Sequence, residues 1–523
     1  MNTIHSMKYL LISFCWFFAV MAQDSLPVFP GAEGFGVFTP AGRGGEIIKV
    51  TNLNADGPGS LRDACGKSGP RIIVFEVAGV IDVAEHIQIR NPFCTLAGQT
   101  APSPGITVIG AGLRVYTNDV LIQHMKVRPG GRVEGPRGNS RQGICMVGSS
   151  QNVVIDHCSV SWATDENMTC WSTENRNITF SNCINSECLN NSVHPEGPHS
   201  KGMLVGFLTQ NVSVIRNLFA HNGDRNPLIK GGCPATVVNN FVYNPIGVAM
   251  DFGEATFFGD QPQRVSVIGN VLKATRQTNL SPGGSFLYVH VHMSESRLYM
   301  DDNVTDGSFG LCSQRSFDPG VIVDTPEEAT WTQPLTALPS AQVMHHVLSN
   351  AGARPQDRDE IDRRIINDAI NGTGRMIDSQ DDVGGFPQHA EVTRTLDIPA
   401  DPNGDDDSDG YTNAEEWLHQ MAAELEGPVD IPLDAGTNRS RQTMRKLFFT
   451  RNGARLGTLK LVSGREIASV KIFSCAGKLL QSAATPDGMT TRIELQSRIP
   501  AKGHYIIKIH YVKSGHTSRQ ILL

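Results

Sequence analysis

The sequence predicts an all-β fold: a single-stranded parallel β-helix carrying smaller appended segments. Three observations carry that prediction. At 523 residues the chain is too long for one compact core of ordinary size, so it needs several domains or an elongated repeat. Its 52 glycines and 7% aromatic content favour turn-rich β structure over a helical bundle. Its middle repeats: an apolar residue, any residue, then Asn or His recurs as Ile122-Gln123-His124, Ile155-Asp156-His157, Phe180-Ser181-Asn182, Ile215-Arg216-Asn217, Val238-Asn239-Asn240 and Ile268-Gly269-Asn270. The closing residues lie 33, 25, 35, 23 and 30 positions apart, each beside a short β-rich run and with no helical pattern between. Such periods indicate a solenoid, and Asn at matching turns can stack, each amide bonding the backbone of the next coil.

Residues 1–22 read as a signal peptide. Lys8 precedes an apolar run from Tyr9 to Met21, and the small or apolar Val20 and Ala22 precede Gln23. The run is too short to span a membrane, and no later stretch of ~18 apolar residues occurs. The chain is therefore expected to be secreted or held at the cell surface. Ten cysteines would remain after cleavage, an even count that permits disulfides without fixing their connectivity. There is no CxxC pair to suggest zinc, and several cysteines read as small core residues. A net charge of −7 with no long basic block argues against a nucleic-acid partner.

Residues 27–330 form the expected β-helix, and two stretches in it carry chemistry. Val154 to Glu166 ends in clustered carboxylates, Asp165 and Glu166. His221-Asn222-Gly223-Asp224-Arg225-Asn226-Pro227-Leu228-Ile229-Lys230 places an arginine and a lysine five positions apart around a proline, after a strand-like run. Cations and carboxylates on neighbouring strands suggest a metal-assisted site for an acidic substrate. Oxygen ligands suit calcium better than a transition metal.

These stretches, with Phe29-Pro30-Gly31-Ala32-Glu33-Gly34-Phe35-Gly36, Val50-Thr51-Asn52-Leu53 and Gly57-Pro58-Gly59-Ser60-Leu61-Arg62, resemble secreted bacterial pectate lyases of polysaccharide lyase family one. The resemblance spans about residues 27 to 390, because Asn371 to Gly374, Asp378-Ser379-Gln380 and Val383-Gly384-Gly385 are similar to that family's C-terminal extension, here 331–400. It implies a right-handed parallel β-helix that cleaves pectate by calcium-dependent β-elimination. It also implies that Asp156 of the Ile-Asp-His strand binds calcium, that Arg225 is the base, and that Lys230 stands where the family has a closing arginine. Lys201 resembles a family lysine ahead of a Gly-rich strand. The chain departs from the family's Asp-Gly-x-x-Asp pair: Asp165 fits the first position, but Glu166 replaces the glycine and Thr169 the second aspartate. Asp165 and Glu166 are the further ligands this implies.

The chemistry stands without the family. β-Elimination removes the C5 proton beside a uronate carboxylate and expels the C4 glycosidic oxygen. The developing dianion needs fixed cations, which calcium, Lys201 and Lys230 would supply. A guanidinium, ordinarily charged at every accessible pH, is a difficult base, so Arg225 reads either as base or as a clamp on the substrate carboxylate. Asp156 reads as a ligand or as a capping turn residue, His157 as a structural histidine, and Trp162 as a sugar platform or as core.

Ala351 to Asn371 is charged and helix-like and should brace the end of the solenoid. Residues 401–425 hold Asp405-Asp406-Asp407-Ser408-Asp409-Gly410-Tyr411-Thr412-Asn413-Ala414-Glu415-Glu416, which fits the EF-hand loop template. Its ligands would be Asp405, Asp407, Asp409 and Glu416, with a turn at Gly410 and a helix after it. Any calcium there would be structural. The alternative is a solvated acidic linker. Residues 440–523 return to alternating strands, a small sandwich-like β domain. Gly477-Lys478-Leu479-Leu480, Pro500-Ala501-Lys502-Gly503 and the Ser518 to Leu523 ending resemble the type IX secretion sorting domain of Bacteroidetes. A carbohydrate-binding module is the alternative, and the scarcity of aromatics in this segment argues against it.

The expected partners are an acidic cell-wall polysaccharide, homogalacturonan, and secretion machinery; the expected state is a monomer. Three other functions remain open: a pectin lyase on methyl-esterified polymer, a metal-free glycoside hydrolase with paired carboxylates, and a non-catalytic binding solenoid.

Overall fold

The computed structural model describes residues 26–132, 140–254, 256–280, 284–291, 295–306, 309–317, 322–323 and 327–427, together with six strands between Lys446 and Leu522. The signal segment 1–22 and Cys475 lie outside the described residues.

Residues 46–323 wind into a right-handed parallel β-helix of three sheets. Sheet A has eleven parallel strands, from Glu46–Val50 to Ile322–Val323. Sheet B runs in parallel from Val77–Asp82 to Val304–Thr305, with the short strand Val392–Thr393 added antiparallel on its first strand. Sheet C has nine strands, from Ile87–Ile89 to Gly310–Phe317. One coil shows the order: Gln151–Asp156 in A, Ser159–Ser161 in B, Glu166–Trp171 in C, then Arg176–Ser181 back in A.

The core follows from alternation. Val153 and Ile155 point inward, as do Val160, Met168 and Cys170, and like residues stack between coils as Ile155, Phe180, Val214, Val237 and Val267. Each coil alone could bury little, so neighbours supply the core. The described cysteines form no disulfide, and all but Cys312 are buried. They pack as small apolar side chains rather than as the framework their even number permitted.

The corner from sheet A to sheet B carries the stacked side chains. Asn217, Asn240 and Asn270 each donate a backbone N–H to the Oδ1 of the next, Asn240, Asn270 and Asn303, at 2.9 to 3.0 Å. Their amides also donate to the carbonyls of Phe180, Val214 and Val237. His124, His157 and Asn182 belong to the preceding position of the corner, where the backbone takes φ of +56°, +45° and +51°. The ladder position in those coils is filled by Cys158 and Cys183. The Cys158 N–H donates to Cys183 Sγ, and the Cys183 N–H to Asn217 Oδ1. The repeat read from sequence thus mixes two adjacent columns. Asn serves both, because it tolerates the left-handed region and its amide can bond the next coil, whereas His occupies only the left-handed column.

Helices α1 (Leu61–Gly66), α2 (Ser340–Asn350), α3 (Glu360–Asn371) and α4 (Asn413–Glu426) surround the coils. The expected brace on the solenoid's end instead lies along its flank. Asp359, the N-cap of α3, and Asp362 accept from Arg128 of sheet B at 2.7 and 2.8 Å, and Lys126 sits 3.2 Å from Asp359, all fully buried. Ser159 also donates to Asp362. Trp162 is fully buried beneath this extension, packed with Leu189, Ile361 and Ile377, and its indole N–H donates to Glu187 at 3.0 Å. It is core, and the sugar-platform reading of Trp162 is corrected.

Helix α4 packs Ala414, Leu418 and Trp417 on Ile72, Val74 and Ala97 of sheet A. Thr412 caps it in a reciprocal box with Glu415, which also takes Arg43 at 2.8 Å. Residues from Pro432 onward form a separate unit, an antiparallel sheet in which the long strand Arg455–Ser474 pairs with four others.

Candidate active site

The corners from sheet B into sheet C gather the titratable groups. The first strand residues Glu166 and Lys201 are register partners on neighbouring coils, and Lys201 bridges to Asp224 on the next. Side chains follow the same column. Lys201 Nζ lies 2.6 Å from Asp224 Oδ2, and the Arg225 guanidinium pairs with Glu166. Arg225 has a left-handed backbone (φ +61°), unusual for a long side chain, and this turns it toward Glu166. Lys230, at the far end of the short strand Leu228–Ile229, sits 3.1 Å from Glu254.

Asp165 accepts from Ser140 and Gln142, each at 2.5 Å, and faces His199 at 3.2 Å. His194 stacks on His199, with ring centroids 3.8 Å apart. Burial works against the charge on Asp165, yet hydrogen bonds from His199, Glu166 and Ser140 hold its carboxyl well below the usual range. Glu166 shows the reverse: burial and the adjacent Asp165 charge push it up to about 8, against the pull of Arg225. Two touching carboxyl groups, one driven to keep its proton, form the donor set that a hard cation with oxygen ligands relieves. Asp165 and Glu166 fit calcium on that ground. Burial opposes the charge on Arg225, but Glu166, Asp224, Glu254 and Asp165 raise its pKa, so the guanidinium is a firm cation here.

Asp156 does not join this group. It sits at the corner between sheets A and B, almost wholly buried. Its two oxygens accept from Gln123, His157, Ser181 and Asn182 at 2.7 to 3.2 Å. It ends a sheet A strand, whereas Arg225, Glu166 and Lys201 gather where sheet C begins, so the calcium-ligand reading of Asp156 is corrected to that of a corner residue. His157 is structural, placed between Asp156 and Glu426 of α4 and stacked on His124 at 5.4 Å.

The sequence reading missed Asp224, His199 and Glu254. Asp224 stands beside Arg225 and His199 two residues before Lys201, so proximity to chosen cations was the available signal. Glu254 had none, being brought to Lys230 by the next coil.

At the acidic loop, one oxygen from each of Asp405, Asp407 and Asp409 falls within 4.8 Å of the others. Gly410 takes φ +97°, its N–H donating to Asp405 at 3.1 Å. Local desolvation and the charges of Asp407, Asp409 and Asp405 raise the pKa of Glu416. Asp405, Asp407 and Asp409 therefore face one point, and their oxygens fit calcium, while Glu416 feels their charge from the helix that follows.

A "Probable pectate lyase C" of Aspergillus flavus is 32% identical to this chain over 424 residues, covering 76% of this chain and 94% of the relative. The chain belongs to the pectate lyase family. It is thus a polysaccharide lyase with a β-helix, a charged corner and no family model that matches it. Another pectate lyase relative, from Aspergillus terreus, is 31% identical over 427 residues, covering 76% of this chain and 94% of its own length. Among solved structures, an arginine-to-lysine variant of the Bacillus subtilis pectate lyase covers 64% of this chain and 98% of its own, at 14% identity and a TM-score of 0.43. A pectate lyase II of Xanthomonas campestris covers 63% and 100%, at 16% identity and a TM-score of 0.38.

Proposed function

We propose that this pectate lyase relative cleaves polygalacturonate between C4 and C5 by calcium-dependent β-elimination, leaving 4,5-unsaturated oligogalacturonides. The observation that carries this reading is the gathering at one corner of Arg225, paired with Glu166, and Lys201, paired with Asp224, beside the Asp165–Glu166 carboxyl pair. Asp165 and Glu166, with Asp224 beside them, would hold calcium, which when bound supplies positive charge against the substrate carboxylate.

The chain's own residues do the rest. Lys201 adds fixed charge where the enolate-like dianion develops, in a corner whose side chains are largely out of water, while Lys230, paired with Glu254 past the far end of its strand, stands apart from that pair. Arg225 binds the uronate carboxylate as a cation. It takes the C5 proton only where the carboxylates that now hold its own proton are neutralised. The paired carboxyl groups also disfavour a glycoside hydrolase. Asp165 and Glu166 touch, whereas hydrolase acid–base pairs stand ~5–9.5 Å apart to admit water or sugar.

The test is ultraviolet absorbance of unsaturated product from polygalacturonate, with and without chelator. Loss of signal on chelation and its return with calcium support the reading. Activity that survives chelation, or product without absorbance, overturns it. Arg225→Lys separates the two roles of the guanidinium. A base loses about 100-fold or more in kcat, while a carboxylate clamp keeps most of it and raises KM.

The EF-hand-like loop is proposed as a structural calcium site, residues 1–22 as an export signal, and 440–523 as a bacterial secretion sorting domain. The composition and motifs already given support each.

A further inference from the structure

The trailing end of sheet C carries a feature the reaction does not use. Trp171 closes the strand Glu166–Trp171, whose first residue is the site carboxylate. Five residues of strand put the two ends about 16 Å apart. Trp171 pairs in register with Gly206, and a Cβ on that glycine would meet the indole at 3.0 Å and Lys230 Cδ at 3.6 Å. Gly206 therefore leaves the slot into which Trp171 leans, beside a site lysine.

Phe207 follows and meets Trp171 with centroids 4.0 Å apart and planes at 60°. Phe207 and Leu208 both have left-handed backbones, φ +53° and +60°, although neither is a glycine or asparagine. From two coils further on comes a tight turn in which Thr256 and Gly259 exchange backbone hydrogen bonds at 3.2 and 3.1 Å. Its tip is Phe257-Phe258, where turn chemistry favours Gly, Asn, Asp or Ser. Phe257 is 78% exposed and Phe258 49%. Phe257 lies 5.3 Å from Phe207 and 6.0 Å from Trp171; Phe258 lies 5.8 Å from Phe207. Four rings joined through Phe207, two of them held in water by a turn that would fold better without them, stand where a site lysine begins.

Resting on the lyase reading above, we propose that Trp171, Phe207, Phe257 and Phe258 form a platform for a sugar unit that bears no free carboxylate, a few units from the bond cleaved. The rings offer an apolar face to the C–H face of a sugar, continuous with the charged site through Lys230. The nearby Lys230 charge is engaged by Glu254. A free carboxylate over the rings would lose its water without a cation in exchange, whereas an esterified or neutral unit would not. The substrate class is then a partly esterified polyuronate: an ionised unit at the charged corner, an uncharged one on the rings.

The test compares KM on fully de-esterified and on partly methyl-esterified polygalacturonate for the full chain and for Phe257→Ser/Phe258→Ser. Both side chains are exposed, so the fold is retained, and Trp171→Leu provides a second variant. The platform predicts a lower KM on the partly esterified polymer, and a rise of about fivefold on that polymer alone in the variants, with kcat kept. Equal KM values before and after substitution overturn it. So does a dimer by sedimentation that the substitution splits, which would make the rings a contact between copies. If the unmodified protein forms no unsaturated product from either polymer, the lyase reading fails instead.

Discussion

Asp156 and Asp165 differ less in sequence than in surroundings. Both end up close to histidine, but Asp156 meets four neutral or cationic donors while Asp165 meets a second carboxyl group. Only the latter leaves a charge imbalance for a cation to correct. The chemistry of the corner residues is testable by pH. Burial would lower the pKa of His157, but Asp156 and Glu426 raise it to about 9, above an ordinary 6.5. Its contribution to stability is complete below pH 6.5 and is lost as pH rises through 9. Burial lowers the pKa of His124, which opposes folding as pH falls below 6.5. His346, also near His157, is lowered to about 4 by burial, Arg216 and His157. Thermal unfolding between pH 6.5 and 9 should show a falling Tm, and His157→Asn should flatten that slope while keeping the left-handed corner. An unchanged slope would place the pH dependence elsewhere.

Among the elements, the strands and their corners were legible, and the register was not. Ile155, Phe180, Val237 and Val267 announce coils by their spacing, but His124 and Asn217 look alike in sequence while lying in adjacent columns. A period of 23 to 35 residues cannot separate neighbours when the corner residues themselves vary. The clustered cations Lys201 and Arg225 were legible because charged residues beside strand ends have few structural uses. Trp162 misled for the opposite reason: an indole says nothing of whether a helix 200 residues later will cover it. That covering is strong. Arg128→Ala leaves Asp359 and Asp362 with Lys126 as their remaining buried cation, and should cost about 3–5 kcal/mol in denaturant unfolding. Arg128→Met with Asp359→Asn and Asp362→Asn should recover part of it. A cost under ~1 kcal/mol for the single change would show that α3 docks by its apolar face alone.

Over the whole chain, α4 joins distant parts. It starts at the acidic loop, pairs Glu415 with Arg43, lies on sheet A, and ends with Glu426 2.9 Å from His124. Calcium at the loop would therefore stabilise the clasp between the N-terminal segment and the coils. With calcium at 100 times its Kd, the gain is ~2.7 kcal/mol. Chelation should lower Tm, and Asp407→Asn should remove most of that response while activity at saturating calcium persists. If Asp407→Asn abolishes turnover without changing Tm, the loop is not a structural site.

The reversed strand Val392–Thr393 carries a last consequence. A parallel solenoid ends in a row of open amides and carbonyls, a template on which another molecule could continue winding. Laid in the opposite direction on Val77–Asp82, that strand offers the wrong polarity for any further coil. Its removal would not unwind the molecule so much as let one end adhere to the next, and fibres rather than denatured protein would be the sign.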